Sequence, residues 1–413
     1  VIDDCFVQKT TVNLSNVRAC LDRSVAFTER LGLETYDPFD IKSTELAVWS
    51  YKKKNHWRKA VRSALYGLEL FFPIGIRKFM NIPKKESSGG TARWAQANMA
   101  LYQLTSEDRF LKRARELLQR LVENPGTSKA GMGWGVPFVW QAYFETVPTN
   151  TAVSHTSQSC GNALLDYHDL TGEQWAFEAA EKCADFFVKG LNQTVRPSGA
   201  VALSYTHLDT SQVINASAEA AAFLHRCGRP SDQPLVWKVA RFLCETQNAD
   251  GSWYYSAPGS VEGSNPIDSY HTGMNLNGLL VLASNPECLA ALESGLKFHM
   301  DNHFEEDGCP KMRPDNMYPI DSHSAGESIL VLFKAVNDPR IKTTLREQSS
   351  IVLDRLVQYT VDNLTYPDGG FVYRRYKGRT MRLDSLRWSQ AMLCHGLAGF
   401  LLPTKNPLPT VPN

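Results

Sequence analysis

At 413 residues, 43% hydrophobic and 21% charged, the chain has room for one large domain or two ordinary ones and the composition expected of a soluble globular protein. A formal net charge of +1 without long charge blocks excludes a nucleic-acid footprint. No apolar run reaches the length of a membrane span. The nine cysteines are odd in number and lack CxxC spacing, which argues against a disulfide framework and a zinc site. Cys160, Cys183, Cys244 and Cys394 fall in helical apolar patterns and read as small core residues, so reduced, cytoplasmic residence is the expectation; no signal-peptide pattern opens the sequence as given, and a removed leader stays open. No cofactor is implied.

Residues 1–50 read as a preamble packed on the main body. Residues 15–31 predict one amphipathic helix, with Val17, Leu21, Val25 and Phe27 near one face. Residues 36–40 form a turn-rich loop in which Asp37 and Asp40 read first as caps. The basic run Lys52 to Lys54 reads as a solvated face.

Residues 51–402 are periodic on a coarse scale. Amphipathic helices are predicted over 57–72, 108–123, 173–189, 233–245, 287–302 and 339–364. In 108–123, Phe110, Ala114, Leu117, Leu118 and Leu121 recur at spacings of three and four. Between them lie segments that are apolar or small almost all round: 91–104, 156–170, 215–227, 271–283, 322–336 and 386–402. Such helices are buried. They begin near Trp94, His155, Asn215, His271, His323 and Trp388, at steps of 52 to 65 residues. Six amphipathic helices alternating with six buried ones predict an all-α fold, an (α/α)6 double-ring toroid with the buried set inside.

Gly-containing links such as 131–135, 250–253, 307–309 and 368–370 precede segments rich in aromatic or alternating residues at 201–205, 253–255 and 371–373. These predict short β-hairpins on one rim. Long links on one rim and tight turns on the other put the functional mouth on the long-loop face. Residues 403–413 are Pro-rich and read as a surface tail.

Gln247, Gly251 and Trp253 match once the Gln-x-x-x-Gly-x-Trp signature of terpene cyclase repeats, whose Asp-rich motif is missing. The segments Asp268-Ser-Tyr-His-Thr-Gly273 and Asp321-Ser-His323 are closer to another group. They resemble the six-hairpin toroid enzymes that act on sugars, among them bacterial polysaccharide-biosynthesis toroids and the C-terminal domain of glucuronyl C5-epimerases. The resemblance implies a carbohydrate-active enzyme in surface-polysaccharide metabolism, of epimerase, lyase or glycoside hydrolase type. A non-catalytic glycan-binding protein and an isoprenoid cyclase are the alternatives.

The candidate catalytic residues are Asp268, Tyr270, His271, Asp321 and His323, all at the starts of buried helices. Asp268 and Asp321 occupy equivalent positions in adjacent repeats, so a facing acid/base pair is one expectation and a pair of helix caps the other. Glu327, inside a buried helix, needs a partner, either His271 or an arginine. Candidate substrate-binding residues are Trp134, His155, Tyr205, His207, Trp253, Tyr254, Arg313, Arg374, Arg387 and Trp388, with Trp140 and Tyr143 as further aromatics. Aromatic faces stack on sugar rings, and guanidinium forks suit carboxylates, so an acidic sugar such as a uronate is expected. Histidines spread around a ring give no metal site.

Overall fold

The computed structural model describes residues 12–51, 55–142, 146–260 and 266–403. Lys52 to Lys54, Tyr143 and the tail from 404 onward lie outside the described residues.

The chain opens with α1 (Leu14–Leu31) and β1 (Glu34–Thr35), followed by α2 (Glu45–Tyr51), α3 (His56–Phe71), α4 (Pro73–Phe79) and β2 (Lys85–Glu86). The body runs through α5 (Ser88–Thr105), α6 (Asp108–Glu123), α7 (Ser154–Thr171), α8 (Gln174–Asp185), α9 (Ile214–Cys227) and α10 (Gln233–Glu245). It continues with α11 (Ser269–Leu282), α12 (Pro286–Asn302), α13 (Ser322–Asn337), α14 (Thr343–Asn363) and α15 (Ala391–Phe400). Short antiparallel ladders pair β1 with β2, β3 (Trp140–Gln141) with β4 (Thr146–Val147), and β5 (Gln193–Val195) with β6 (Val201–Leu203). A three-stranded sheet orders β7 (Ile320–Asp321), β8 (Arg374–Tyr376) and β9 (Arg379–Met381).

Helices α5, α7, α9, α11, α13 and α15 pack each on the next, and α15 closes on α5. This inner ring is the buried set expected from composition. Small residues let the helices approach: a Cβ on Gly326 of α13 would meet the Met392 side chain of α15 at 2.5 Å. Outside it, α6, α8, α10, α12 and α14 each pack on the inner helix before them in the chain. In α6 the predicted stripe of Phe110, Ala114, Leu117, Leu118 and Leu121 is the buried face.

The sixth outer place differs from the expectation. It belongs to α1, which packs on α15 and α14, not to α3, which packs chiefly on α2 and α4. The glycine turns show the same order. Gly251 lies against Ser294 of α12, Gly308 against Arg355 of α14, and Gly369 against the Arg23 carbonyl of α1, each at positive φ. Each link thus packs on the following outer helix, and the last one finds α1. A Cβ at Gly369 would collide with that carbonyl. The stripe of α3 was real, but periodicity does not tell which surface a stripe faces.

Two inferred strands are reduced to single bridges, Val213 with Ser256 and Thr365 with Phe371, while 201–203 does form β6. Two π-helical turns interrupt the pattern, at Phe186–Gly190 and at Leu386–Gln390.

Candidate active site

The first turns of the inner helices converge on Tyr270. Its hydroxyl lies 3.2 Å from His155 Nε2. Its ring centroid is 4.3 Å from that of His323, 5.2 Å from His271 and 6.2 Å from Trp388. Helices α7, α11, α13 and the π turn before α15 therefore bring their first side chains into one cluster.

Each histidine is oriented through its Nδ1. His155 Nδ1 lies 3.1 Å from Glu219 Oε2, one turn into α9. His271 Nδ1 lies 2.6 Å from Asp268 Oδ2. His323 Nδ1 lies 2.6 Å from the Trp388 carbonyl. A carbonyl only accepts, so His323 carries its proton on Nδ1 and presents a bare Nε2, which is buried without a hydrogen-bond partner. The π turn makes this possible. Gln390 N–H reaches back five residues to the Ser385 carbonyl and Ala391 N–H to that of Leu386, while the Trp388 carbonyl accepts from His323.

Burial, reinforced by the charge of Arg387, pushes the His323 imidazole well below its ordinary pKa. Burial, with the charges of Glu327 and Glu219, pushes the Tyr270 phenol well above its own. Near neutral pH the site thus holds a neutral imidazole against a neutral phenol. Burial raises the Asp268 carboxyl, but the charge and hydrogen bonds of His271 outweigh it and hold the group below the ordinary carboxylate range. The Asp268–His271 dyad is the more exposed part, with the His271 side chain 30% accessible.

Aromatic walls flank this centre. Tyr255 meets His271 at 4.7 Å, and Tyr205 packs on Trp140 at 5.3 Å. On the other side Trp388 stacks on His323 at 4.4 Å with 16° between planes. Beneath lies a polar network. Arg93 Nη2 is 3.7 Å from Glu327 Oε2, and Asn277 donates to the other Glu327 oxygen. Lys334 donates to Asn277 at 3.0 Å. Of the two partners expected for Glu327, it is an arginine, not His271.

The other candidates lie as follows. Asp321 is sealed: Oδ1 accepts from the His323 and Ser324 N–H groups, and Oδ2 from Arg374 Nε at 2.5 Å and Trp388 Nε1 at 3.3 Å. With both oxygens engaged it is a buried cap and ion-pair partner, and it does not face Asp268 as a free carboxylate. Trp134 and Trp253 are buried, their indole N–H groups donating to the carbonyls of Leu121 and Leu243 near the ends of α6 and α10. They fasten repeats together and touch no basin. Arg374 and Arg387 reach the centre, lying 5.7 and 4.9 Å over the Trp388 ring, but they are neutralised by Asp321 and by a bidentate contact with Asp37. Arg313 is exposed on the loop beside the α11 start, where Ser269 N–H donates to the Met312 carbonyl. Tyr254 is half-buried. His207 is half-buried in the 204–211 turn, and its backbone carbonyl accepts from Asn192. Among the described residues no three His, Cys, Asp or Glu side chains are grouped as metal ligands.

Glu219 and Tyr255 escaped the sequence reading. The signal for Glu219 was available: one carboxylate in the run Asn215-Ala-Ser-Ala-Glu219-Ala-Ala of a fully buried helix, where a charge needs a partner.

No protein-family model matches the chain, and no curated protein does. Solved structures do. A sugar epimerase from a ruminal bacterium shares 12% identity at a TM-score of 0.58, over 93% of this chain and 98% of its own. A glycosyl hydrolase of family 88 from Bacteroides vulgatus shares 10% at 0.58, over 94% and 99%. A cellobiose 2-epimerase from Bacillus thermoamylovorans shares 13% at 0.57, over 76% and 87%. At these identities the likeness establishes the fold, the (α/α)6 toroid.

Proposed function

We propose that this protein is a carbohydrate-active enzyme that moves a proton on a sugar carbon, in the manner of an epimerase or lyase. One observation carries the reading: three histidines, each fixed through Nδ1, surround one buried tyrosine at the mouth of a toroid. The same fold serves two sugar epimerases and a glycosyl hydrolase among its structural neighbours.

His323 is the base. Its bare Nε2 takes the proton from a carbon next to a carbonyl or carboxyl group, and the Trp388 carbonyl supports the imidazolium that forms. Tyr270, backed by His155 and Glu219, is the acid. In an elimination the C–H and C–O bonds break, the C=C bond forms, and this relay protonates the leaving oxygen. In an epimerisation Tyr270 gives its own proton to the opposite face of the carbon, and the proton held on His323 is exchanged back to Tyr270 through solvent before the next turnover. The Asp268–His271 dyad, exposed at the mouth, holds substrate hydroxyls, and Tyr205 and Tyr255 stand beside it as aromatic edges.

Hydrolysis by two carboxylates is the weaker reading, because Asp321 is hydrogen-bonded to Arg374, Glu219 to His155, and Glu327 lies within 3.7 Å of the Arg93 guanidinium deep in the inner ring. An isoprenoid cyclase needs an aliphatic cavity, and this centre is histidine and ion pairs. Since Arg374 and Arg387 are already paired, an acidic sugar would be met by Arg313 and His271. All eight described cysteines are free thiols, which supports a reducing compartment. Among the described residues no helix is long and apolar enough to cross a membrane.

The test is incubation in D2O with reducing disaccharides and with uronate-containing oligosaccharides. Deuterium on a sugar carbon by NMR, or ultraviolet absorbance from an unsaturated uronate, is expected. Cleavage with neither signal would overturn the proposal in favour of hydrolysis, and binding with no turnover would leave a glycan-binding protein.

A further inference from the structure

Helix α3 is inside out. Trp57, Val61, Ala64, Leu68 and Phe71 follow at i, i+4, i+7, i+11 and i+14, a single apolar stripe. In α6 such a stripe is buried; here it faces solvent. Trp57 is 75% exposed, and Leu68 and Phe71 about half. The polar side is what holds the helix to the protein. Arg58 and Arg62 donate to the carbonyls of Trp49 and Ser50, at 2.8 and 2.9 Å. Glu69 is buried against Arg77 at 2.6 Å. Phe72 and Phe79, at the two ends of α4 and seven residues apart, are exposed as well, Phe79 at 83%.

Charge says what covers it. Residues 55–85 hold seven lysines and arginines against one acid, Glu69, which is consumed inside by Arg77. The exposed charge of the segment is all positive: Lys59 and Lys78 on the helices and Lys84 and Lys85 just beyond. Exposed Trp and Phe bordered by lysine and arginine, with no acid among them, match an interfacial helix on an anionic lipid surface. A protein partner large enough to bury this stripe would not require one sign of charge throughout.

We propose that α3 and α4 form a membrane-docking module that lays its aromatic stripe into the headgroup region of an anionic bilayer, leaving the toroid in water. The module is tied to the mouth side of the toroid. Arg379 at the start of β9 donates to the Phe71 carbonyl and stacks on the Phe71 ring at 4.4 Å, and Arg374 of the adjoining β8 reaches Trp388. Docking there sets the basin beside the bilayer.

The experiment is cosedimentation of the full chain with vesicles of phosphatidylcholine alone and of phosphatidylcholine mixed with phosphatidylglycerol. Pelleting with the mixed vesicles, reduced by salt, is expected. Trp57→Glu with Phe79→Glu should weaken it by about tenfold or more, with circular dichroism and thermal midpoint unchanged because both side chains are in solvent. Should that pair fail to fold, Lys59→Glu with Lys78→Glu should lower pelleting with mixed vesicles only. Absence of pelleting by the wild-type chain overturns the proposal. So does a wild-type dimer, seen by size-exclusion chromatography with light scattering, that the Trp57/Phe79 variant turns into a monomer without vesicle binding; the stripe would then join two copies of the chain.

Discussion

Replacing His323 by glutamine separates a catalytic base from a packed histidine. The side chain is 3% exposed, donates from Nδ1 to the Trp388 carbonyl, and lies between the rings of Trp388 and Tyr270. A glutamine amide can still donate to that carbonyl, but it has no basic nitrogen. Loss of a positioned base costs about 10²–10⁴-fold in turnover, roughly 3–5 kcal/mol of barrier. Losing the aromatic contacts costs about 1 kcal/mol of stability at any pH. The pH dependence adds an independent reading. Burial lowers the folded-state pKa of His323 below 6.5, so the folded chain binds fewer protons than the unfolded one. Its contribution to stability is complete above about pH 6.5 and is lost as the pH falls below it, at up to about 1.4 kcal/mol per pH unit. His299 and His395, each held at about 3 by burial, behave alike, and each loses about 2 kcal/mol between pH 6.5 and 5. Urea unfolding at pH 7 and pH 5 should therefore show a shallower acid loss in His323→Gln than in the wild type. Deuterium exchange into the substrate should fall at least about a hundredfold. A variant that keeps full exchange refutes the base, and one with an unchanged acid loss refutes the buried neutral imidazole.

Other perturbations read other parts of the site. Glu219→Gln leaves His155 without a carboxylate; turnover should fall by at least about tenfold while KM changes less, and Glu219→Asp should recover part of it. Asp321→Asn breaks a buried ion pair and should cost about 3 kcal/mol of unfolding free energy. Because Asp321 is linked to His323 only through Trp388, the folded variant should keep both limbs of its pH–rate profile. Gly369→Ala combines a φ of +92° with the Arg23 carbonyl and should cost about 3 kcal/mol or more, measured by denaturant midpoint. Trp134→Phe should lower stability without altering KM, since the indole is buried against the end of α6.

The double ring was readable because each class of helix carries its own pattern: a stripe at three and four for α6, small and apolar residues throughout for α9. What periodicity leaves out is the identity of the neighbour. That is why α1, set apart as a preamble, turned out to close the outer ring, and why α3, with an equally good stripe, faces water. The starts of the buried helices also marked the basin, and Tyr270, His155, His271 and His323 do meet there. Depth was the harder variable. Trp134 and Trp253 share the aromatic character of Trp388, and only packing decides which rings reach the basin. Arg374 and Arg387 looked like free cations because Asp37 lies 350 residues from Arg387 and Asp321 lies 53 from Arg374.

Repetition with unequal outcome is the physical key to the site. Asp268 and Asp321 both cap an inner helix by accepting from the N–H groups that a helix start leaves unpaired. Their second oxygens differ. Asp268 turns its own to the imidazole of its own first turn, at the mouth, whereas Asp321 turns its own to Arg374 and to the Trp388 indole, inside. One cap makes a dyad that solvent can reach. The other fixes the ring that stacks on His323. Because the arginine pair and Asp321 hold the Trp388 indole, and the Trp388 carbonyl in turn fixes the tautomer of His323, Asp321 is linked to His323 at two removes. A position that looks catalytic by its repeat register is held by its contacts as a cap and ion-pair partner, and Asp321→Asn should loosen the tautomer only as far as it loosens the indole.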